Sequence, residues 1–169
     1  WSKTLGFGFS RIISLGNQVV VSETVLLPLI GDFKNTKVLT LYLENINDGE
    51  NFIENARELV AKIPVVVLKT GRSASGKRAA ASHTGALAGA DAAFDAAFEK
   101  SGVFRAETTE EMFVWARALA WAKLPKGRNV SIVSNAGGPG VIAADAIDRE
   151  GLQLTDFTPE TTRALEALL

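Results

Sequence analysis

The chain has 169 residues, enough for one α/β domain or for one domain and part of a second. Its 47% apolar and 22% charged residues are a globular composition that excludes a disordered tail, and its net charge of -1 argues against electrostatic nucleic-acid binding. It has no Cys and a single His, which excludes disulfides, thiolate metal sites, cysteine nucleophiles and multi-histidine zinc sites.

The opening stretch, Trp1 to Gly6, reads as the last turn of a helix, so the sequence reads as a piece cut inside an element. No signal peptide opens it, and no apolar run approaches the roughly 18–20 residues of a membrane helix. Phe9 to Leu15 is a short apolar segment closed by the turn signal Gly16-Asn17. Ser22 to Ile30 predicts a short helix, with Ser22 as a possible cap and Val25, Leu26 and Leu29 on one face. Lys37 to Leu43 predicts a strand. Glu50 to Lys62 predicts a helix, from Phe52, Ile53, Ala56, Leu59 and Val60 at helical spacing. The continuous run Val65 to Leu68 predicts a strand covered on both faces.

A segment of small residues, Thr70 to Gly89, interrupts this rhythm. Helix Asp91 to Ser101 follows, with Phe94 and Phe98 on one stripe and Gly102 as its stop. Val103 to Ala106 is a short strand, and Thr108 to Glu111 offers a capping box for helix Glu110 to Ala122. Pro125 to Arg128 reads as a linker. The pattern then restarts with strand Asn129 to Ser134, the glycine-rich turn Asn135 to Gly140, helix Val141 to Arg149, strand Leu152 to Thr155, and a last helix opened by Thr158-Pro159. Such alternation predicts a parallel sheet with helices on both faces. The boundaries that follow are a first domain over 1–124, a linker over 125–128 and the start of a second, similar domain over 129–169.

Three places carry chemistry. Gly71 to Arg78 nearly matches a phosphate loop, but Arg78 stands where a Mg²⁺-binding hydroxyl belongs. A basic, glycine-flanked loop that sees phosphate and a plain solvated turn both fit it. Beyond it lies the one imidazole, His83, in Ser82-His83-Thr84-Gly85-Ala86-Leu87-Ala88-Gly89. A lone His is ordinarily a surface or satisfied core residue. Small neighbours, however, leave the ring uncrowded, as a nucleophilic imidazole requires, with one nitrogen held so that the other is free. Glu44, at the carboxyl end of strand Lys37 to Leu43, can hold it if that strand neighbours the one at Val65, since ligand sites gather at those ends. Its plain alternative is a carboxylate at the start of a helix. The third place is Ser134-Asn135-Ala136-Gly137-Gly138-Pro139-Gly140, where free amides before a helix make either a structural turn or an anion seat.

Taken in order, Phe9 to Asn17, Leu41-Tyr42-Leu43-Glu44, Lys69-Thr70-Gly71-Arg72-Ser73 and Ser82 to Gly89 resemble the NDP-forming acyl-CoA synthetases of the succinyl-CoA synthetase superfamily. The resemblance runs through nearly the whole chain, and the His-containing motif is its most specific part. It implies a flavodoxin-like parallel sheet, here lacking its N-terminal strand, plus the start of a second similar domain. It implies a ligase that interconverts acyl-CoA, ADP and phosphate with acid, CoA and ATP through an acyl phosphate. His83 matches the residue that becomes phosphohistidine, and Glu44 the carboxylate that stabilises it. Asn135, Ala136, Gly137, Gly138 and Gly140 resemble the helix-opening turn that points at the same phosphate.

The resemblance further implies an ATP-grasp domain or subunit as partner, an oligomer, a cytoplasmic location, and neither membrane nor nucleic-acid binding. CoA and ADP or ATP with Mg²⁺ enter as substrates, without a tightly bound cofactor or a resident metal. Some departures stand out. The family's opening strand and Ser-Gly turn, its CoA-binding domain and its ATP-grasp domain are not in this sequence, so the stretch is not expected to be active alone. Val19-Val20 stand where the family has Ala-Asp. Two other readings remain: a non-catalytic acyl-CoA or nucleotide-sensing module from the branch fused to an acetyltransferase, and a purely structural fragment. The missing strand would also leave a slot in the sheet, to be filled by Asn129 to Ser134, by another chain or by a segment outside this sequence.

Overall fold

The computed structural model describes residues 6, 8–16, 18, 21–73, 75–76, 91–123 and 125–168. They divide into two compact units, Trp1–Lys123 and Leu124–Leu169. Among the described residues no helix is long and apolar enough to cross a membrane.

In the first unit, helix α1 (Glu23–Ile30) precedes strand β1 (Leu39–Leu43) and helix α2 (Gly49–Val60). Strand β2 (Val65–Lys69), helix α3 (Asp91–Ser101), strand β3 (Phe104–Ala106) and helix α4 (Thr109–Trp121) follow. The sheet is parallel in the order β1-β2-β3, with Leu39 opposite Val65 and Val66 opposite Phe104. Every residue of β2 is buried, as its uninterrupted apolar run requires. Alternate side chains serve opposite layers: Val65 and Val67 join Leu27, Phe52, Leu59 and Phe98, whereas Val66 and Leu68 join Ala106 and Met112 of β3 and α4. Helices thus cover both faces.

Local chemistry fixes the ends of these elements. Asp48 accepts a hydrogen bond from the Asn51 amide, and Thr108 accepts one from the Glu111 amide at 3.1 Å. The Glu111 carboxylate reaches back to the Glu107 amide. Gly102, with φ +75°, ends α3, and a Cβ there would also lie 3.3 Å from Val60 Cγ1. Ser22 occupies the N-cap position of α1 but makes no side-chain cap bond.

The buried face of α1 differs from the expected one. Glu23, Thr24, Leu27 and Ile30 are buried, while Val25 and Leu29 are exposed. Packing against α2 selects this face, and Asn55 of α2 donates to the Thr24 carbonyl at 3.0 Å. Apolar residues surround α1 on nearly every side, so its pattern could not choose the face.

Residues 8–16 form no regular element and join no ladder among the described residues. They are pinned at their start: Phe9 meets Phe113 edge-on, Arg11 lies 4.3 Å over the Phe33 ring, and Ser10 and Thr36 share a 2.8 Å hydrogen bond. Between this segment and the edge of β1 that pairs with no strand among the described residues lies a cavity of about 1150 Å³, walled also by Leu26, Ile30, Met112 and Phe113. Asn129 to Ser134 does not supply the expected filler strand. Only Asn129–Val130 is a strand, and it pairs with a strand of its own unit.

That second unit holds strand β4 (Asn129–Val130), helix α5 (Gly137–Arg149), strand β5 (Gln153–Leu154) and helix α6 (Pro159–Glu166). β4 and β5 are parallel. Pro159 opens α6, and Thr158 caps it by accepting from the Thr161 amide.

Candidate functional site

Glu44 immediately follows β1, at the carboxyl rim of the sheet. β1 and β2 are direct neighbours, so the juxtaposition on which the sequence argument depended exists. The Thr70 amide donates to the Leu43 carbonyl at 2.9 Å, which fixes the exit of β2 beside the residue preceding Glu44. Thr70 begins the segment that leads to His83. His83 itself lies outside the described residues, as do Lys77 and Arg78.

Glu44 is half-buried, and its Oε2 is buried without a hydrogen-bond partner among the described residues. An acceptor left in that state costs free energy unless a donor arrives, because burial has removed its water. Glu44, Asn45 and Asn47 line the large cavity beside β1, so the orphaned oxygen belongs to a residue with room for a donor-bearing partner.

The near-phosphate loop is differently arranged. The Gly76 amide already donates to Ser73 Oγ at 3.0 Å. Arg72 is engaged by Asp91 at 3.3 Å and by Glu107 at 3.1 Å. The Gly76 amide and the Arg72 guanidinium are therefore engaged within the protein. Lys69, buried at the end of β2, donates to the Thr70 carbonyl and lies 4.4 Å over the Phe94 ring.

The glycine-rich stretch belongs to the second unit. It is more helical than its composition suggests: α5 begins at Gly137, with Ala136 at the N-cap, so Gly137 to Gly140 form the first turn. Ser134 Oγ organises the approach, donating to the Ala136 carbonyl at 2.7 Å and accepting from the Ala136 amide at 3.2 Å. Neither Gly137 nor Gly138 has a positive φ, and a Cβ on either would meet open space. Folding of the unit does not demand glycine there. A bare first turn leaves its backbone amides approachable, which is what an anion seat needs.

Sequence reasoning missed one group. Glu23, the first residue of α1, is buried, lines the same cavity as Glu44 and has an Oε2 without a partner. Burial pushes its pKa above the usual carboxylate value, against the opposing pull of its own backbone and of the Thr24 hydroxyl. Nothing in the sequence singled it out, since a Glu at the first turn of a helix is commonplace. Among the described residues no group of three His, Asp or Glu is placed to hold a metal ion.

Known proteins share this architecture and sequence. The chain is 46% identical over 160 residues to the alpha subunit of acetate–CoA ligase [ADP-forming] I of Pyrococcus furiosus, an alignment covering 95% of this chain and 35% of that protein. It is 44% identical to acetate–CoA ligase [ADP-forming] I of Archaeoglobus fulgidus, over 100% of this chain and 24% of the relative. Its fold superposes on the dinucleotide-forming acetyl-coenzyme A synthetase 1 of Ca. Korarchaeum cryptofilum, solved in complex with phosphate and ADP. The TM-score is 0.86 at 35% identity, covering 96% of this chain and 35% of that one. The chain thus spans about a quarter to a third of the length of the proteins it matches. Residues 1–119 match the flavodoxin domain of the succinyl-CoA ligase type, and the chain belongs to that family.

Proposed function

We propose that this chain is part of an ADP-forming acyl-CoA synthetase, an acid–thiol ligase, and carries its phosphohistidine. The observation that carries the reading is Glu44: a buried, partnerless carboxylate oxygen beside the strand that leads to the only imidazole in the sequence. The similarity to ADP-forming acetate–CoA ligases supports it.

In this reading phosphate attacks the acyl carbonyl of acyl-CoA and expels CoA, leaving an acyl phosphate. An imidazole nitrogen of His83 then attacks phosphorus, and the acid departs as carboxylate. The phosphohistidine passes its phosphoryl group to ADP, which yields ATP and free imidazole. Glu44 accepts the N–H of the other ring nitrogen. It thereby holds the ring in the nucleophilic tautomer and offsets the positive charge that develops on phosphorylation. The amides at Asn135, Ala136, Gly137, Gly138 and Gly140 seat the phosphoryl oxygens, aided by the positive end of α5. A phosphoryl group that changes partners is served well by such dispersed positive potential, which binds without fixing it.

CoA and the nucleotide, with its Mg²⁺, enter as substrates held chiefly by other parts of the enzyme, including an ATP-grasp domain or subunit. The assembly is an oligomer that works in the cytoplasm, without membrane or nucleic acid. To test this, the full-length enzyme is incubated with labelled phosphate, Mg²⁺ and an acyl-CoA, alongside His83→Asn. Acid-labile, base-stable label in the parent and none in the variant is expected. Absence of label from the parent with any of several acyl-CoAs, while it still binds them, would replace this reading with the sensing module.

A further inference from the structure

Arg72 is used by no step of the scheme above, yet it ties together the two ends of the stretch that carries His83. Eighteen residues, 73–90, separate Arg72 from Asp91, and His83 stands near their middle in sequence. Arg72 lies just beyond the end of β2, and Asp91 is the first residue of α3. Arg72 Nε donates to Asp91 Oδ2 at 3.3 Å, while its Nη1 donates to Glu107 Oε1 at 3.1 Å. The departure of the chain and its return are thus within the reach of one side chain.

The path out of β2 is set before Arg72 is reached. The Thr70 amide and hydroxyl both donate to the Leu43 carbonyl, at 2.9 and 3.4 Å. Gly71 then adopts φ +72°, a left-handed conformation that turns the chain. Gly76 folds back against it, and a Cβ there would lie 3.3 Å from Gly71 Cα. At the return, the other oxygen of Asp91 accepts from Arg105 at 2.6 Å.

Stability does not account for the Arg72 contact. Its side chain is 41% exposed, that of Glu107 is 71% exposed, and Asp91 already has Arg105. Exposed ion pairs of this kind add little to a fold. What the contact does fix is the direction in which the stretch leaves the sheet. Direction matters to a reacting group, since a displacement of about 1 Å can cost about a hundredfold in rate.

We propose that Arg72, through its bond to Asp91, is a positioning residue that aims the His83 stretch at phosphorus and at Glu44. The inference rests on the phosphohistidine reading and deepens it. In this role Arg72 acts through the backbone that carries His83 and takes no part in bond making.

The full-length enzyme and its Arg72→Gln, Arg72→Lys and Glu107→Gln variants test it, with two readouts of one reaction. Acyl phosphate, formed before His83 acts, is trapped by hydroxylamine, which attacks its carbonyl and releases phosphate; the phosphate-dependent hydroxamate is measured. His83 is followed by label from phosphate. Arg72→Gln is expected to yield hydroxamate at the parent's rate but to label about tenfold or more slowly. Its KM for phosphate and acyl-CoA should stay within about twofold, and its Tm within about 3 °C. Arg72→Lys keeps the charge without the planar fork and should recover part of the rate. Glu107→Gln removes the Arg72 bond that does not span the stretch, and should label within about threefold of the parent.

Labelling of Arg72→Gln within threefold of the parent overturns the proposal. So does a parallel fall of hydroxamate and label, which is general damage, or an equal loss in Glu107→Gln. The two readings fail separately. A parent that labels beside an Arg72→Gln that labels equally well sinks Arg72 alone. A parent that yields hydroxamate but never labels sinks the phosphohistidine reading itself.

Discussion

The carboxyl rim of the sheet treats charge in two opposite ways. Around β3, Arg105 is 10% exposed at its side chain, bonds Asp91 at 2.6 Å and also pairs with Asp95. Arg72 adds bonds to Asp91 and Glu107. Each carboxylate there has a cation, and only the Nε of Arg105 is left over. Around β1, the carboxyl groups of Glu23 and Glu44 each keep a buried oxygen with no partner among the described residues, and both line a cavity. Paired charges hold helices to strands. Buried oxygens without a donor are costly to the fold.

The largest stability effect should therefore come from the paired side. Arg105→Met strands Asp91 and Asp95 and is expected to cost about 2–3 kcal/mol in urea denaturation. That is less than a fully buried pair would lose, because Asp95 is half exposed. A loss below roughly 0.5 kcal/mol, the range of an ordinary surface change, would remove the distinction between the two ends of the rim.

Asp91 and Glu23 should then respond to pH with opposite signs. Burial would raise the Asp91 pKa, but hydrogen bonds and charges from Arg105 and Arg72 together hold it below the usual value. Its contribution is present above the unfolded pKa and is lost as pH falls through the folded one. Asp91→Asn should lower neutral-pH stability by about 1 kcal/mol and flatten the acid limb of a Tm-against-pH profile. Glu23, with its raised pKa, favours the fold fully only below its unfolded pKa, and that contribution is lost as pH rises through the folded value. Glu23→Gln should therefore raise stability near neutrality by about 0.5–1 kcal/mol and change nothing at acid pH. A Gln variant less stable than the parent at neutral pH would show that Oε2 carries a stabilising charge after all.

Much of this was readable beforehand, and the failures have physical causes. β2 was legible because four consecutive apolar residues, three of them Val, suit a doubly covered parallel strand. α3 was legible because Phe94 and Phe98 share one stripe, and both proved buried. The position of Glu44 directly after a strand was legible from the apolar run that precedes it. The face of α1 was not, since Val25-Leu26-Leu27 and Leu29-Ile30 offer apolar residues in every direction and only packing on α2 chooses among them. The start of α5 was placed four residues late because glycine is a weak helix former, yet a first turn has few intrahelical bonds to lose. Glu23 escaped notice because burial of a charge leaves no trace in periodicity.

Glu44→Gln is the smallest perturbation to the fold and the sharpest test of the comparison. Glutamine keeps the size of the side chain and replaces a carboxyl group whose Oε2 has no partner among the described residues. Stability should stay within about 0.5 kcal/mol of the parent, since no folded-state bond to Oε2 is lost. Labelling of His83 should nonetheless fall steeply, because an amide cannot neutralise the charge that builds on the ring when phosphorus is bound, and its NH₂ competes as a donor for the same nitrogen. A variant that loses stability but keeps its label would make Glu44 a structural carboxylate like Asp91. The orphaned oxygen would then have to find its donor in the fold rather than in the reaction.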